Sequence, residues 1–320
     1  MFVQILCVMF LFPAAMVCLY YVFLALYSLV VRRNALLLNN DAIHTFAVVI
    51  PAHNEEETIS GVLRSCNELD YPKDKYKLYV IADNCSDRTA KIAVQSGAAC
   101  LKRQDKKRRG KNFALAWAFE RILPQGHEAI VVLDADCHID VHALRVFDLF
   151  LENGHQVIQA NNVASNPDAS PMSYAVAIGN LIENDLFYAP KSHLGLAVFL
   201  RGTGMVFRRE VLEHHSWRAH SIAEDVEYSL RLLTSGIRVS FVSEVNVSSE
   251  FPAHQDQLKI QRTRWASGNL CLGKTHALRL MWEGVVKGQW LLIDAGWTLL
   301  VLSRPLVLLE LFIALILGVI

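Results

Sequence analysis

The sequence predicts an α/β fold: a doubly wound, mostly parallel sheet carried between apolar helices at the two ends of the chain. Three observations lead there. From about Asn39 to Ser249, short β-branched runs alternate with stretches of helical periodicity. No charged residue occurs between Ile5 and Val31. A second apolar stretch runs from Trp290 to Ile320, broken only by Asp294, Arg304 and Glu310.

The N-terminal run is about 40 Å of helix at 1.5 Å per residue, enough to cross a bilayer's hydrocarbon core with some tilt. A cleaved signal peptide would normally open on basic residues, and Met1–Gln4 has none. The basic pair Arg32-Arg33 follows the run instead, so we read a retained anchor with the following domain in the cytoplasm. At the far end Arg304-Pro305 should break or kink the helix, giving two short spans or one kinked hairpin. Because the chain stops inside apolar sequence, we expect the C-terminal membrane segments to be truncated. The domain layout expected is therefore a membrane helix over 1–33, a cytoplasmic α/β domain over 34–252, interfacial helices over 253–288 and membrane segments over 289–320.

Within the middle, Phe46–Pro51 reads as a buried strand and Glu55–Glu68 as a helix with Ile59, Val62, Leu63 and Cys66 on one face. Leu78–Ala82 is the next strand, and Ser86-Asp87 caps a helix running through Val94. Ala98–Leu101 is a strand, Lys111–Ile122 a helix and Ala129–Leu133 a strand that ends in Asp134-Ala135-Asp136. Further on, Met172–Ala189 and Glu224–Thr234 read as helices and Arg238–Val242 as a strand. Gly202-Thr203-Gly204 forms a turn before another strand. Residues 254–286 mix basic, aromatic and apolar side chains, as helices lying along a membrane surface do.

Composition narrows the function. Lys plus Arg and Asp plus Glu each total 31, so no general nucleic-acid affinity is expected. Seven scattered cysteines without a C-x-x-C pair argue against a disulfide framework or zinc site, and suit a reducing compartment. In doubly wound sheets ligands bind beyond the carboxyl ends of the strands. Pro51–Asn54, Asp83–Asp87 and Asp134–Asp136 all fall there.

Asp134 and Asp136 place two carboxylates in one turn, hard ligands suited to Mg²⁺ or Mn²⁺ bridging a diphosphate. The plainer reading has them cap a helix at Ile139. Glu224-Asp225 opens a helix, where the dipole favours carboxylates; a general base is the functional alternative, and on local evidence the dipole reading wins. In Gln261-Arg262-Thr263-Arg264-Trp265 a helix would align Gln261 with Arg264 and Trp265. That face suits phosphate and sugar, or a membrane interface. The run Lys106–Arg109 reads as solvated charge.

Taken in order, FAVVIPAHNEE, VIADNCSDRT, Gly110-Lys111, D-A-D, A-E-D and Q-R-T-R-W resemble the ordered motifs of the family 2 glycosyltransferases. The likeness covers roughly residues 45–270 and is greatest to the membrane branch of cellulose, chitin and hyaluronan synthases and ceramide glucosyltransferase. It implies a GT-A nucleotide-sugar domain and inverting transfer from a UDP-sugar with Mn²⁺ or Mg²⁺. Pro51, Ala52, Glu55 and Asp83 would hold the uridine, and Lys111 the diphosphate. Asp134 would sit near ribose and diphosphate, and Asp136 would bind the metal. Asp225 would be the base, supported by Glu224, while Gln261, Arg264 and Trp265 would close over diphosphate and acceptor. Ala223 stands where many relatives have Thr. The implied acceptor is a polysaccharide or glycan, or alternatively a lipid, with membrane lipids and a membrane partner subunit as further expected partners. A polyprenyl-phosphate sugar synthase would lack Q-x-x-R-W, and a non-catalytic scaffold would not need the acidic residues.

Overall fold

A computed structural model describes residues 2–30, 41–218, 223–250 and 255–302, with 312–313 and 315–316. For residues 2–10, 255–258, 260–262 and 302 it describes the backbone alone. The chain forms two compact units. One gathers Asn34–Asn184 and Phe199–Ala253; the other gathers Met1–Arg33, Asp185–Val198 and His254–Ile320.

The first unit is built on an eight-stranded sheet. Its parallel half comprises β1 (Phe46–Ala52), β2 (Tyr76–Asp83), β3 (Ala99–Arg103) and β4 (Ala129–Val132), interleaved with α2 (Ile59–Asn67), α3 (Thr89–Gln95) and α4 (Lys111–Ile122). The helix that precedes them in the chain, α1 (Phe2–Val30), belongs to the other unit. Strands β1 and β4 read as unbroken apolar runs because both faces are covered, and β2 does so over Leu78–Ala82. Ile59, Val62, Leu63 and Cys66 of α2 bury one face, as their spacing predicts. On the other side Leu115, Ala118, Phe119 and Ile122 of α4 are buried.

The second half departs from the parallel pattern. After β5 (Cys137–Ile139) and α5 (Ala143–Glu152) come β6 (Val157–Ala164), α6 (Pro171–Glu183), β7 (Met205–Arg208), α8 (Arg209–His214), α9 (Glu224–Thr234) and β8 (Val239–Ser249). The strand order is β3-β2-β1-β4-β7-β6-β8-β5. β7 runs antiparallel to both β4 and β6, and β5 antiparallel to β8, whereas β6 and β8 are parallel with an irregularity at Ala160/Asn161. The sequence reading foresaw neither β5 nor β6, whereas α8 ends at His214-His215, where a helix end is expected. β6 lacks a clear signal: its first four residues are buried and its last four, Asn161–Ala164, are half-exposed and partly polar.

In the second unit α1 (Phe2–Val30) contains Leu11–Val30, with mean hydropathy 1.9, long and apolar enough to cross a membrane. Of the stretch expected as several helices, residues 255–286 form most of one helix, α10 (Gln255–Lys287), which α11 (Trp290–Leu302) follows. Glycines at 284 and 296 let these two pack closely, because a Cβ at either would run into the other helix. With 13 residues, α11 is about 20 Å long, shorter than a bilayer core of about 30 Å. Arg304-Pro305 lies outside the described residues. The short helix α7 (Ala189–His193) belongs here too. Its Lys191 is fully buried and bonds Asp294 Oδ2 at 2.9 Å as well as Thr298 Oγ1. Tyr20 donates to the other oxygen of Asp294 at 2.5 Å. A buried ammonium persists only when paired in this way, so the cluster ties α1, α7 and α11 together.

Candidate active site

Register brings the candidate residues to one edge. Pro51 and Ala52 pair with Ile81 and Ala82, and Val49 with Val132, so β1 and β2 end together and β4 stops three residues short of them, leaving the D-A-D turn beside their ends. Their carboxyl ends open into a cleft of about 370 Å³ lined by Pro51, Ala52, Glu55, Asp83, Lys111, Asp134 and Asp136, together with His53, Asn84 and Arg109. Pro51 and Ala52 are the last residues of β1 rather than of a loop. Glu55 is placed by its backbone N–H, which donates to Thr89 Oγ1 at 2.8 Å.

Asp83 sits at the end of β2 with its carboxylate almost wholly buried. Its Oδ1 accepts from Arg103 Nη1 at 2.5 Å and from Asn84 Nδ2 at 2.9 Å. Arg103 is held in turn by Asp105 Oδ2 at 3.1 Å and the Arg108 carbonyl at 2.7 Å. Asn84 takes a left-handed φ of 52°, which asparagine tolerates better than most residues. Its side-chain oxygen accepts from Asp105 N at 2.9 Å. One oxygen of Asp83 is thus committed to the protein.

The centre of the site is Lys111, the first residue of α4. Its ammonium bonds Asp134 Oδ1 and, at 2.9 Å, the carbonyl of Gly202. Gly202 has φ +84°, and a Cβ there would lie 3.6 Å from Asp225 Oδ2 and 3.7 Å from Lys111 Nζ. One glycine therefore brings the first turn of α9 up to the D-A-D turn. The surrounding bonds hold it there. Asp134 N donates to Thr203 Oγ1 at 3.0 Å, and Gly204 N to Val132 O at 2.9 Å. Buried Gln159 donates to Thr203 O at 2.8 Å and accepts from Arg201 N at 2.7 Å. Ser229 Oγ accepts from Leu200 N and donates to Asp225 O, both at 2.8 Å.

The electrostatics follow from this crowding. Loss of water lowers the affinity of Lys111 for its proton, but Asp134, then Glu224 and Asp225, outweigh that and hold its pKa above the usual value. Burial lifts Asp225 to about 7, with the Glu224 carboxylate adding to the rise and Lys111 opposing it. Asp136 is also raised, by surrounding protein and then by Asp134. A carboxylate with raised pKa beside another carboxylate is a site that a cation would relieve.

The two aspartates do not cap a helix at Ile139: that residue lies in β5, and the next helix starts at Ala143. Asp136 instead points into the cleft. Among the described residues no three His, Cys, Asp or Glu side chains gather as a metal cage. The residues fit a cation that takes one or two carboxylates here and fills its shell with water and phosphate, as Mg²⁺ and Mn²⁺ do. Arg264 and Trp265 are exposed on α10 in the other unit, and the side chain of Gln261 lies outside the described residues. The sequence reading missed the roles of Arg103, Asn84, Gln159 and Thr203. Only the Gly-Thr-Gly turn carried a local signal.

The comparisons with known proteins agree with this geometry. The family model "Glycosyltransferase like family 2" matches residues 44–268. A probable glycosyltransferase of Sulfolobus acidocaldarius is 25% identical over 271 residues, covering 82% of this chain and 57% of that protein. Beta-monoglucosyldiacylglycerol synthase of Trichormus variabilis is 28% identical over 234 residues, covering 69% and 48%. The chain thus spans about half the length of these curated relatives. Among solved structures, the mannosyltransferase PcManGT of Pyrobaculum calidifontis, in complex with GDP-Man and Mn²⁺, has a TM-score of 0.67 at 18% identity. The match covers 97% of this chain and 84% of that one, a likeness of fold. With a GT-A-like nucleotide-sugar fold and the family's matched region over most of its length, the chain belongs to the family 2-like glycosyltransferases.

Proposed function

We propose that the chain transfers a sugar from a UDP-sugar, with inversion, to an acceptor at the cytoplasmic face of a membrane. The observation that carries this reading is the junction at Gly202. There a phosphate-seeking ammonium, Lys111, and a carboxylate with a pKa of about 7, Asp225, share one glycine.

In this reading the diphosphate lies along Lys111 and Asp136, with Mn²⁺ or Mg²⁺ held by Asp136 beside Asp134. A cation there supplies charge neutralisation for the leaving group. Asp225, supported by Glu224, takes the proton from the acceptor hydroxyl. The hydroxyl oxygen bonds to the anomeric carbon as the bond to phosphate breaks, and UDP leaves with that electron pair. A raised pKa suits a base near neutrality. Gln261, Arg264 and Trp265 would close over diphosphate and acceptor.

Uridine is favoured by Asp83. With Oδ1 taken by Arg103 and Asn84, a single oxygen is left for the base. The one N–H of uracil, at N3, satisfies it, whereas guanine presents two parallel donors and wants two acceptors. GDP-Man is the ligand of PcManGT, so the two proteins would differ here.

The acceptor is a growing glycan or a lipid. The lipid is supported by the resemblance to a diacylglycerol glycolipid synthase and by the apolar α1. We place 1–33 and 289–320 in the membrane, 253–288 at its surface and 34–252 in the cytoplasm. A membrane partner subunit would complete the apolar region. The test is purified protein with Mn²⁺ or Mg²⁺ and a panel of UDP- and GDP-sugars, reading released nucleotide and the size and lipid extractability of the product. Turnover confined to GDP-sugars, or none with any donor, overturns the reading.

A further inference from the structure

Helix α6 is unusual for one that faces solvent. Its first twelve residues, Pro171–Ile182, contain no charge. Ser173 and Val176 are buried, so the helix already spends one face on the protein. Along the other, Tyr174, Ile178, Leu181 and Ile182 are 57, 42, 61 and 46% exposed. Their spacing of four, three and one places them on one stripe. A solvent-facing stripe normally carries charge, and a contiguous apolar one marks a surface that something covers.

The ends of α6 indicate what that is. Between four and ten residues beyond its last residue, the chain is seated on the apolar helix α1. The ring of Phe187 packs 5.2 Å from that of Tyr21, and His193 Nδ1 lies 2.6 Å from the hydroxyl of Tyr27. Where α6 ends, Asn184 and Glu183 bind Arg201, the residue before Gly202. The helix thus joins the segment that packs on a membrane-length helix to the glycine shared by Lys111 and Asp225. An uncharged stripe with an aromatic residue near its start matches the acyl region of a leaflet.

We infer that the exposed stripe of α6 contacts lipid hydrocarbon and seats the acyl chain of a lipid acceptor whose headgroup reaches Asp225. This rests on the proposed transferase reading and selects its lipid branch. The stripe supplies grip on the chain, and the Arg201 junction sets how far that grip lies from the base.

Two measurements test it separately. A photoreactive phenylalanine analogue is placed at Tyr174 or Leu181, with exposed Glu120 as control, in protein reconstituted into vesicles of phosphatidylcholine and phosphatidylglycerol. Lipid adducts are expected at 174 and 181 but not at 120. A protein dimer band instead would mean that a second copy covers the stripe, and no lipid adduct at either position would also overturn the inference. In the second measurement, Ile178→Asp and Leu181→Asp should raise KM for a long-chain lipid acceptor roughly tenfold or more, the loss of one large aliphatic contact. Both should leave donor hydrolysis and transfer to a short-chain soluble analogue unchanged. Equal loss with both acceptors refutes the acyl seat. Failure of the wild type to turn over any donor sinks the transferase reading instead, while the adducts still report what α6 touches.

Discussion

Replacing Asp83 by Asn tests how the nucleotide base is read. The substitution keeps the shape of the side chain, but one terminus becomes a donor. Arg103 only donates, and its Nη1 sits 2.5 Å from Oδ1, so the new carbonyl must occupy that position. The NH₂ group is then forced to the oxygen position left for the base, where it meets the N3–H of uracil, donor against donor. A hydrogen bond to a charged group contributes about 1.5–3 kcal/mol. At 1.36 kcal/mol per decade, UDP affinity should fall roughly 10- to 150-fold. Cytosine has an acceptor at N3, so binding of CDP should improve relative to UDP. Arg103 retains Asp105 and the Arg108 carbonyl, so the fold should survive with a loss of about 1–3 kcal/mol. Calorimetry of UDP, CDP and GDP with Mn²⁺, beside a urea melt, separates the two effects. UDP affinity within threefold of wild type in a folded variant would refute Asp83 as the base reader, as would no shift toward CDP.

Three further residues carry expected outcomes. Asp136→Ala should lower turnover on the order of 10³-fold with little change in the urea midpoint, and EDTA should reproduce that loss in the wild type; full activity under either condition removes the cation from Asp136. Asp225→Asn should keep donor binding and lose 10²–10⁴-fold in transfer, roughly the contribution of a positioned base. In the wild type, transfer should rise with pH through about 7 as Asp225 ionises. Its raised pKa means the folded state holds a proton that the unfolded chain has released, so stability should fall between about pH 4 and 7. Asp225→Asn should flatten that slope, seen as urea midpoints at either end of the range. Gly204→Ala should destabilise by about 2–4 kcal/mol, combining a left-handed φ of +67° with a Cβ 2.9 Å from that of Ala160 and 3.0 Å from Val247 Cγ2. A urea midpoint unchanged by that substitution would mean that the turn relaxes freely.

How much of this was legible follows from the range of the forces involved. Local patterns set the parallel half. The run Phe46–Pro51 reads as a strand buried on both faces, as β1 is, and the spacing of Ile59, Val62, Leu63 and Cys66 points one helix face at the core. Helices Lys111–Ile122 and Glu224–Thr234 begin and end where periodicity places them. Motif order alone identified the family. Contacts distant in sequence decided the rest. β6 pairs with β7 and β8 across gaps that no local pattern specifies, and Gln159, an ordinary polar residue in sequence, becomes the buried clasp of the Gly-Thr-Gly turn. Arg103 looks like the end of a strand beside a basic run until Asp83, 20 residues earlier, arrives in register beside it. Lys111, Asp134, Gly202 and Asp225 span more than a hundred residues, and only chain closure sets them within bonding reach and lifts Asp225 to about 7. Sequence by itself determined which chemical groups the protein owns and which strands carry them. Tertiary structure decided which groups share a low-dielectric space, because desolvation and charge coupling depend on separation in space and not along the chain.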